Sequence, residues 1–233
     1  MIMGILGHHE KDLGKRHRHG LSSAKGLARL FMGLGIMAGL SGCGGLVNLG
    51  PSGPPLAIYG LDPLPLLSDE RGGVPLIYIE EPQLSGALDT VRIAISRDNR
   101  RFEYLADARW EERTPQLLQR YLARSIDNGP ALDAVGNFNI DLPVDYRLRM
   151  DLRRFDAHRT SDGLTIEITL LASLVDALSS DLLGSRHFKA SHPAASNQPD
   201  DIVAAYNAAL DEMTKDLSSW IAGAVETARG APA

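Results

Sequence analysis

The stretch from residue 147 to residue 174, RLRMDLRRFDAHRTSDGLTIEITLLASL, decides the fold class. Apolar side chains occupy every even position from Leu164 to Leu174, and mostly polar ones occupy the positions between them. Because successive side chains of a β-strand point to opposite faces, this pattern predicts a strand with one buried face. Arg147–Arg153 alternates in the same way, with arginines opposite the apolar side chains, and Thr160–Gly163 suits the turn of a hairpin.

Shorter runs of β-forming residues lie on both sides of this hairpin. They are bounded by turn-prone residues such as Asp62-Pro63 and Arg97–Arg100. The last of them would extend the hairpin to a three-stranded meander. The sequence predicts these strands at residues 56–61, 74–80, 91–96, 101–106 and 181–190.

Two segments change to helical spacing. In the first, Thr114 is the predicted N-cap and Pro115 the first helical residue, and the helix ends before Asn128-Gly129-Pro130. The second is a long amphipathic helix over Pro199–Thr227, which follows a loop at 191–199. The order of strands and helices predicts an α+β fold with a single domain, in which two helices pack on one face of a mixed or antiparallel sheet.

The N-terminal part of the chain is predicted to be a lipoprotein signal peptide. Leu40-Ser41-Gly42 precedes Cys43, the single cysteine of the chain, in the pattern that signal peptidase II recognises. A basic segment at 11–29 and an apolar run at 30–40 complete the leader, which spans 1–42. Cys43 is therefore the expected lipidation site.

Two other interpretations of this region are less favourable. A lone cysteine is often a buried small side chain, but Cys43 lies among Gly42, Gly44 and Gly45 without a periodic segment to bury it. A transmembrane helix requires about 20 consecutive apolar residues, and the run at 30–40 has about half of that. The stretch before Leu30 is long for a basic leader segment, so the true translation start stays open.

Residues 43–55 are predicted to be a flexible tether, because they are rich in glycine and proline and show no periodicity. The folded domain is then expected over 56–228, with a disordered tail at 229–233. Gly44 follows the cysteine, where an aspartate would favour retention in the inner membrane. We therefore expect the periplasmic face of the outer membrane, with attachment through N-terminal acyl chains.

The charge of the mature chain excludes several kinds of partner. The leader holds six of the 24 Lys and Arg and two of the 29 Asp and Glu, so that residues 43–233 carry 18 against 27, a formal charge of −9. Nucleic-acid binding requires a basic stripe, and adsorption to anionic headgroups requires clustered lysines or arginines. Neither is expected here. With one cysteine, an intrachain disulfide is impossible.

The sequence offers no set of residues for catalysis. His8, His9, His17 and His19 belong to the leader, and His187 and His192 lack the partners and spacing of a zinc site. No nucleophile elbow and no phosphate-binding loop occurs. We therefore expect no enzyme activity, no metal and no cofactor.

Several short runs resemble the ABC-type transport auxiliary lipoproteins, which include paraquat-inducible protein C. Together they cover nearly the whole mature chain in the order of that family. These runs are LDTVRI at 88–93, FEYLADARW at 102–110, PQLLQ at 115–119, Tyr59–Leu61, Asp145–Leu148 with Phe155, and Trp220-Ile221.

The resemblance implies a role in transport. Members of this family accompany MCE-type transporters, in which an ATPase, a permease and a periplasmic MCE-domain protein move lipids or other hydrophobic compounds. The implied partner is therefore the periplasmic MCE-domain protein. A homo-oligomeric ring would suit a conduit, and the sequence leaves that point open.

Five residues are candidates for docking such a partner: Arg109, Trp110, Arg147, Arg149 and Arg153. Trp110 is more readily explained as a core anchor, although Trp and Arg are enriched in interfaces as well. The arginine row is most often a solvated sheet face. Two alternative functions stay open, namely a lipid carrier and an outer-membrane assembly lipoprotein that supports a β-barrel. For the carrier, the tight Ala/Leu stripe of the last helix does not suggest a pocket.

Overall fold

The predicted hairpin forms the centre of the structure. The computed structural model describes residues 55–67, 73–97, 101–136 and 143–230. Strand β7 (Tyr146–Thr160) pairs antiparallel with β8 (Gly163–Asp176) from end to end. Gly163 closes the turn with φ of 137°, a backbone conformation that favours glycine. The hairpin prediction is confirmed.

Nine strands form one mixed sheet in the part of the chain that the structure describes. The seven strands besides the central hairpin are shorter, and three of them (β1, β3 and β6) have three residues or fewer. They are β1 (Ala57–Tyr59), β2 (Leu76–Ile79), β3 (Gln83–Leu84), β4 (Arg92–Arg97), β5 (Arg101–Trp110), β6 (Asp133–Val135) and β9 (Leu182–Pro193).

Strand β7 connects all parts of the sheet. One edge of β7 carries β8, which in turn pairs with β9. The other edge is shared by three parallel partners: β2 near its start, β3 at Asp151-Leu152 and β4 at Ala157-His158. Strands β5 and β1 continue beyond β4, and β6 pairs with β2. The fold therefore depends on a β7 long enough to serve three neighbours.

Both predicted helices are present. Helix α1 (Thr114–Asp127) begins one residue earlier than expected. The N-cap position is Arg113, not Thr114, because the Thr114 hydroxyl donates to the carbonyl oxygen of Thr90 at 3.1 Å. Helix α2 (Pro199–Gly230) continues three residues beyond its predicted end, and residues 231–233 of the expected tail lie outside the described residues.

Several strand boundaries differ from the prediction. Strand β5 continues to Trp110 and β7 to Thr160, and β9 continues to Pro193, into the expected loop. Strands β3 and β6 were not predicted, because segments of two and three residues are too short for period-two alternation to show. Their partners in the sheet, which are distant in sequence, define them.

The core lies between one face of the sheet and the two helices. The even-numbered side chains of β8 from Leu164 to Leu174 are all at most 3% exposed. Trp110 of β5, Phe155 of β7 and Tyr206 of α2 form an aromatic cluster under α2. Their ring centroids lie 5.1 Å apart for Trp110 and Tyr206 and 4.8 Å apart for Phe155 and Tyr206. The predicted α+β class, with helices on one face, is confirmed.

The two tryptophans test the position of this core. We expect Trp110→Ala to lower the free energy of unfolding by about 3–5 kcal/mol, since a fully buried ring leaves a cavity. The matched control Trp220→Ala removes a half-buried ring that packs on Phe188 at 5.6 Å, and should cost about 1 kcal/mol. Urea unfolding followed by circular dichroism measures both. Equal losses would contradict the packing described here.

Candidate docking surface

The face of the sheet opposite the helices carries the predicted arginine row. Arg147, Arg149 and Arg153 lie on β7, and their side chains are 48%, 60% and 49% exposed. They point away from the core because Leu148, Met150 and Leu152 between them are buried beneath the helices. Alternation along one strand thus brings the three arginines into a single exposed row.

Acidic side chains partly neutralise this row. Oε1 of Glu80 lies 3.5 Å from Nε of Arg149 and 4.0 Å from Nη1 of Arg147. The Nε of Arg153 donates to Asp151 at 2.9 Å. Exposed ion pairs of this kind contribute about 0–1 kcal/mol each. Their arginines can therefore exchange these carboxylates for those of a partner at little cost in free energy.

Arg109 and Trp110 are adjacent on β5 but lie on opposite faces of the sheet. Trp110 is 1% exposed, so its ring presents no surface to a partner in this fold. Arg109 is half-buried on the open face and pairs in register with Ile58 of β1 and Arg92 of β4. In the sheet, β4 lies between Arg109 on β5 and the arginine row on β7, and Trp110 lies in the core.

A polar cluster on the open face was not predicted. Asp156 is 1% exposed, and its carboxylate accepts a hydrogen bond from the Ser96 hydroxyl. Arg154 clamps the same carboxylate with two donors, Nη2 at 3.0 Å and Nε at 3.2 Å, and also pairs with Glu167. The Nδ1 of His158 lies 3.0 Å from the Ser96 hydroxyl oxygen.

Burial and charge act in opposite directions on Arg154. Partial burial lowers the pKa of its guanidinium, but the hydrogen bond and charge of Asp156, together with Glu167, outweigh burial and raise the pKa above its usual value. The arginine therefore stays charged, and the buried carboxylate of Asp156 keeps a permanent counter-ion. This arrangement joins β4, β7 and β8 and has the character of a structural clamp.

A β-bulge explains why this cluster escaped sequence analysis. The register of β7 against β8 shifts between Leu152 and Arg154, so that the alternation changes phase. Before the shift even-numbered residues face the core; after it Phe155 and Ala157 do. The consecutive arginines Arg153-Arg154 are the signal in the sequence that the alternation breaks there.

The runs LDTVRI, FEYLADARW and PQLLQ, identified in the sequence analysis, meet where β4, β5 and α1 come together. The backbone N–H of Trp110 donates to the carbonyl oxygen of Val91 at 2.7 Å, and that of Thr114 donates to Thr90 at 3.1 Å. The guanidinium of Arg113 pairs with the carboxylate of Asp89. These contacts fix the start of α1 against the start of β4, so that this part of the pattern is structural.

Two other kinds of site are absent from the described part of the chain, namely a metal-ligand cluster and a membrane-spanning helix. No group of three or more His, Cys, Asp and Glu side chains converges as metal ligands among residues 55–67, 73–97, 101–136 and 143–230. Within the same ranges no helix is long and apolar enough to cross a membrane. Cys43, the predicted lipidation site, and Leu40, Ser41 and Gly42, the predicted signal-peptidase recognition residues, lie outside the described residues.

Solved structures of low sequence identity share this fold. The crystal structure of protein XCC0632 from Xanthomonas campestris has a TM-score of 0.66 at 18% identity, and the match covers 76% of this chain and all of that one. A second crystal structure, of an uncharacterized protein, has a TM-score of 0.58 at 15% identity and covers 72% of this chain and 99% of that one. These similarities establish the α+β architecture.

Sequence comparison defines the class more closely, as a lipoprotein that assists transport. The family model described as ABC-type transport auxiliary lipoprotein component matches residues 59–218. The chain therefore belongs to the ABC-type transport auxiliary lipoprotein family, which is a family of transport components and not a known enzyme family. Its lipoprotein character places the chain at a membrane of the cell envelope.

A relative from Bradyrhizobium diazoefficiens is 33% identical over 152 residues. It is an uncharacterized protein, and the match covers 64% of this chain and 40% of the relative. The chain thus spans less than half of that protein's length.

Two neighbouring arginines on β7 test the structural role of the polar cluster. We expect Arg154→Met to destabilise the fold by about 2–3 kcal/mol, because it leaves the buried Asp156 without its counter-ion and solvent reaches the site only in part. Arg153→Met is the matched control and should change stability by less than about 1 kcal/mol. The urea midpoints of the two variants measure their losses of stability. Equal midpoints would contradict the clamp.

Proposed function

We propose that the chain is an accessory component of an MCE-type ABC transporter for lipids or other hydrophobic compounds. It would act by docking the periplasmic MCE-domain protein, and not by catalysis. The observation that carries this proposal is the family match over 59–218. The exposed arginine row on an uncovered sheet face supports it, because it gives the chain a polar surface for a protein partner.

The proposed anchor is the lipidated Cys43. Cleavage after Gly42 would remove the signal peptide 1–42 and leave residues 43–55 as a tether between the acyl chains and β1. A dozen residues span at most about 40 Å when extended, which is enough to hold the domain clear of the headgroups. We propose the outer membrane, with the domain in the periplasm.

The proposed contact is electrostatic at its rim. The arginine row would meet acidic side chains of the MCE-domain protein and replace Glu80 and Asp151 as partners of the arginines. Complementary charge of this kind raises association rates and fixes the orientation of the partner. The formal charge of −9 on the mature chain makes a row of three arginines a distinct local feature.

Affinity purification of the lipidated protein from crosslinked envelopes tests the role. We expect mass spectrometry to recover an MCE-domain protein together with its permease. Recovery of a β-barrel alone would support the assembly alternative and contradict the proposal. Recovery of lipid without a protein partner would favour the carrier alternative.

The arginine row can be tested by charge reversal. We expect Arg147→Glu with Arg149→Glu to weaken the complex about tenfold, since like charges would then oppose the acidic rim. Stability should change by less than about 1 kcal/mol, because these are exposed positions. Purified chain and MCE-domain protein, measured by surface plasmon resonance at two salt concentrations, give the affinity.

The matched control is Arg186→Glu. Arg186 also forms an exposed ion pair, with Asp216, but on the helix-covered side of the sheet. Its reversal should leave the affinity unchanged. Equal affinities for the double variant and the wild-type chain would exclude the arginine row from the interface.

Cys43→Ala tests the anchor. Because no other cysteine is present, we expect complete loss of labelled palmitate from the protein and accumulation of the uncleaved precursor. The control Ser41→Ala keeps a small residue in the recognition sequence and should be labelled normally. Palmitate incorporation into the Cys43→Ala protein would contradict lipidation at this position.

A further inference from the structure

A groove lies between the two helices, away from the arginine row. Its volume is about 330 Å³, at the lower end of the range for small-molecule sites. Leu64, Pro65 and Leu67 form one wall, and Ile126 near the end of α1 and Leu132 in the loop after it form the floor. The second wall is a stripe of α2 that includes Lys215, Ser218 and Ala222.

This stripe is separate from the apolar stripe of α2 that fills the core. The core residues are Met213, Leu217 and Ile221, whereas Lys215, Ser218 and Ala222 recur at the spacing of an adjacent helix face. The Ala/Leu stripe from which the sequence predicts no pocket is the core stripe alone. The groove is therefore additional to the packing that closes the sheet.

The wall segment 64–67 is fixed by hydrogen bonds that use its polar groups. The N–H of Leu64 donates to Ser125 Oγ at 3.1 Å, and the N–H of Leu67 donates to the Asn128 carbonyl oxygen at 2.9 Å. The side-chain amide of Asn128 returns a bond to the carbonyl oxygen of Leu64 at 2.6 Å. The side chains that this segment presents to the groove are apolar, and Leu67 is 72% exposed.

Because these backbone polar groups are already hydrogen-bonded within the protein, the groove favours an acyl chain over a peptide. A peptide brings backbone N–H and C=O groups that must find partners when they are buried. Of the three wall hydroxyls, that of Ser125 accepts from Leu64 and that of Ser219 donates to the Lys215 carbonyl oxygen at 2.8 Å, which leaves the hydroxyl of Ser218 for a ligand. An acyl chain has no such groups. A volume of about 330 Å³ is smaller than that of two long acyl chains, which favours a lipid with one chain.

Lys215 supplies a charge at the rim of the groove. Its side chain is exposed, and no carboxylate among the described residues forms an ion pair with it. A lysine ammonium is a compact point charge that suits a single anionic head. We propose that the groove binds a single-chain anionic lipid, a long-chain fatty acid, with its carboxylate at Lys215 and its chain against Leu64, Leu67 and Ile126.

This inference deepens the proposed function by adding a lipid site to an accessory protein, but it rests on the groove and not on the arginine row. The two can therefore fail separately. A variant that blocks the groove should still dock the MCE-domain protein, and a variant of the arginine row should still bind fatty acid.

The test uses the full lipidated chain in amphipol, with palmitate that carries a photoreactive diazirine in its chain. We expect adducts on peptides that contain 64–67 and 126–132, and competition by unlabelled palmitate. Ala222→Phe should reduce labelling at least about fivefold by filling the groove. The matched control Ala204→Phe, on an exposed turn of the same helix outside the groove, should label as the wild-type chain does.

Lys215→Glu tests the carboxylate. It should weaken palmitate binding about fivefold, the scale of one exposed charge pair, and leave binding of the neutral alcohol hexadecanol unchanged. Lys189→Glu on β9 is the charge control. Four results would each overturn the proposal. Two concern labelling: adducts spread over the whole surface, or labelling that Ala222→Phe leaves intact. Two concern binding: an equal loss of palmitate and hexadecanol binding in Lys215→Glu, or stronger competition by lysophosphatidylglycerol than by palmitate. A groove protected by a second copy or another protein without a fatty-acid adduct would overturn it as well.

Discussion

The packing of Tyr206 against Phe155 and Trp110 is the contact on which the rest of the structure depends. It joins the long helix α2 to β7 and to β5, which lie on either side of β4 in the sheet. Hydrogen bonds at the start of α2 reinforce this position, since the Tyr59 hydroxyl donates to Asp200 at 2.6 Å and Asn207 exchanges two bonds with Asp62. With α2 fixed in this way, one face of the sheet is sealed and the other is left for polar side chains.

That division explains why the two faces have different chemistry. The sealed face receives apolar side chains from every long strand, and the open face receives arginines, their acidic partners and one buried carboxylate. Asp156 is tolerated there because Arg154 and Ser96 satisfy it, which a lone buried charge would not allow. The same strand thus contributes solvated arginines at one end and a closed polar cluster at the other.

The sequence predicted the parts of this fold that repeat with a regular period. Leu164–Leu174 alternates over a length that only a half-buried strand explains, and Ile202, Tyr206 and Leu210 mark the stripe of α2. The sequence could not show the parts defined by partners far away in the chain. Strand β6 exists because Asp133–Val135 pairs with β2, and the bulge in β7 changes which of its arginines face solvent. For the candidate surface, the alternation of β7 puts Arg147, Arg149 and Arg153 on one exposed face, whereas the pleat of β5 separates Arg109 from Trp110, its neighbour in sequence.

The positions of the two proposed surfaces have a consequence for how an accessory lipoprotein can work. The arginine row lies on the open face of the sheet, and the groove lies in the helix layer on the other side. A partner bound to the row leaves the groove uncovered, so that docking and lipid binding need not compete for the same residues. The segment 64–67 that walls the groove follows β1 directly, and β1 follows the proposed tether. The groove is therefore built partly from residues that follow the proposed tether in the sequence, which would place a site for an apolar chain close in sequence to the proposed anchor.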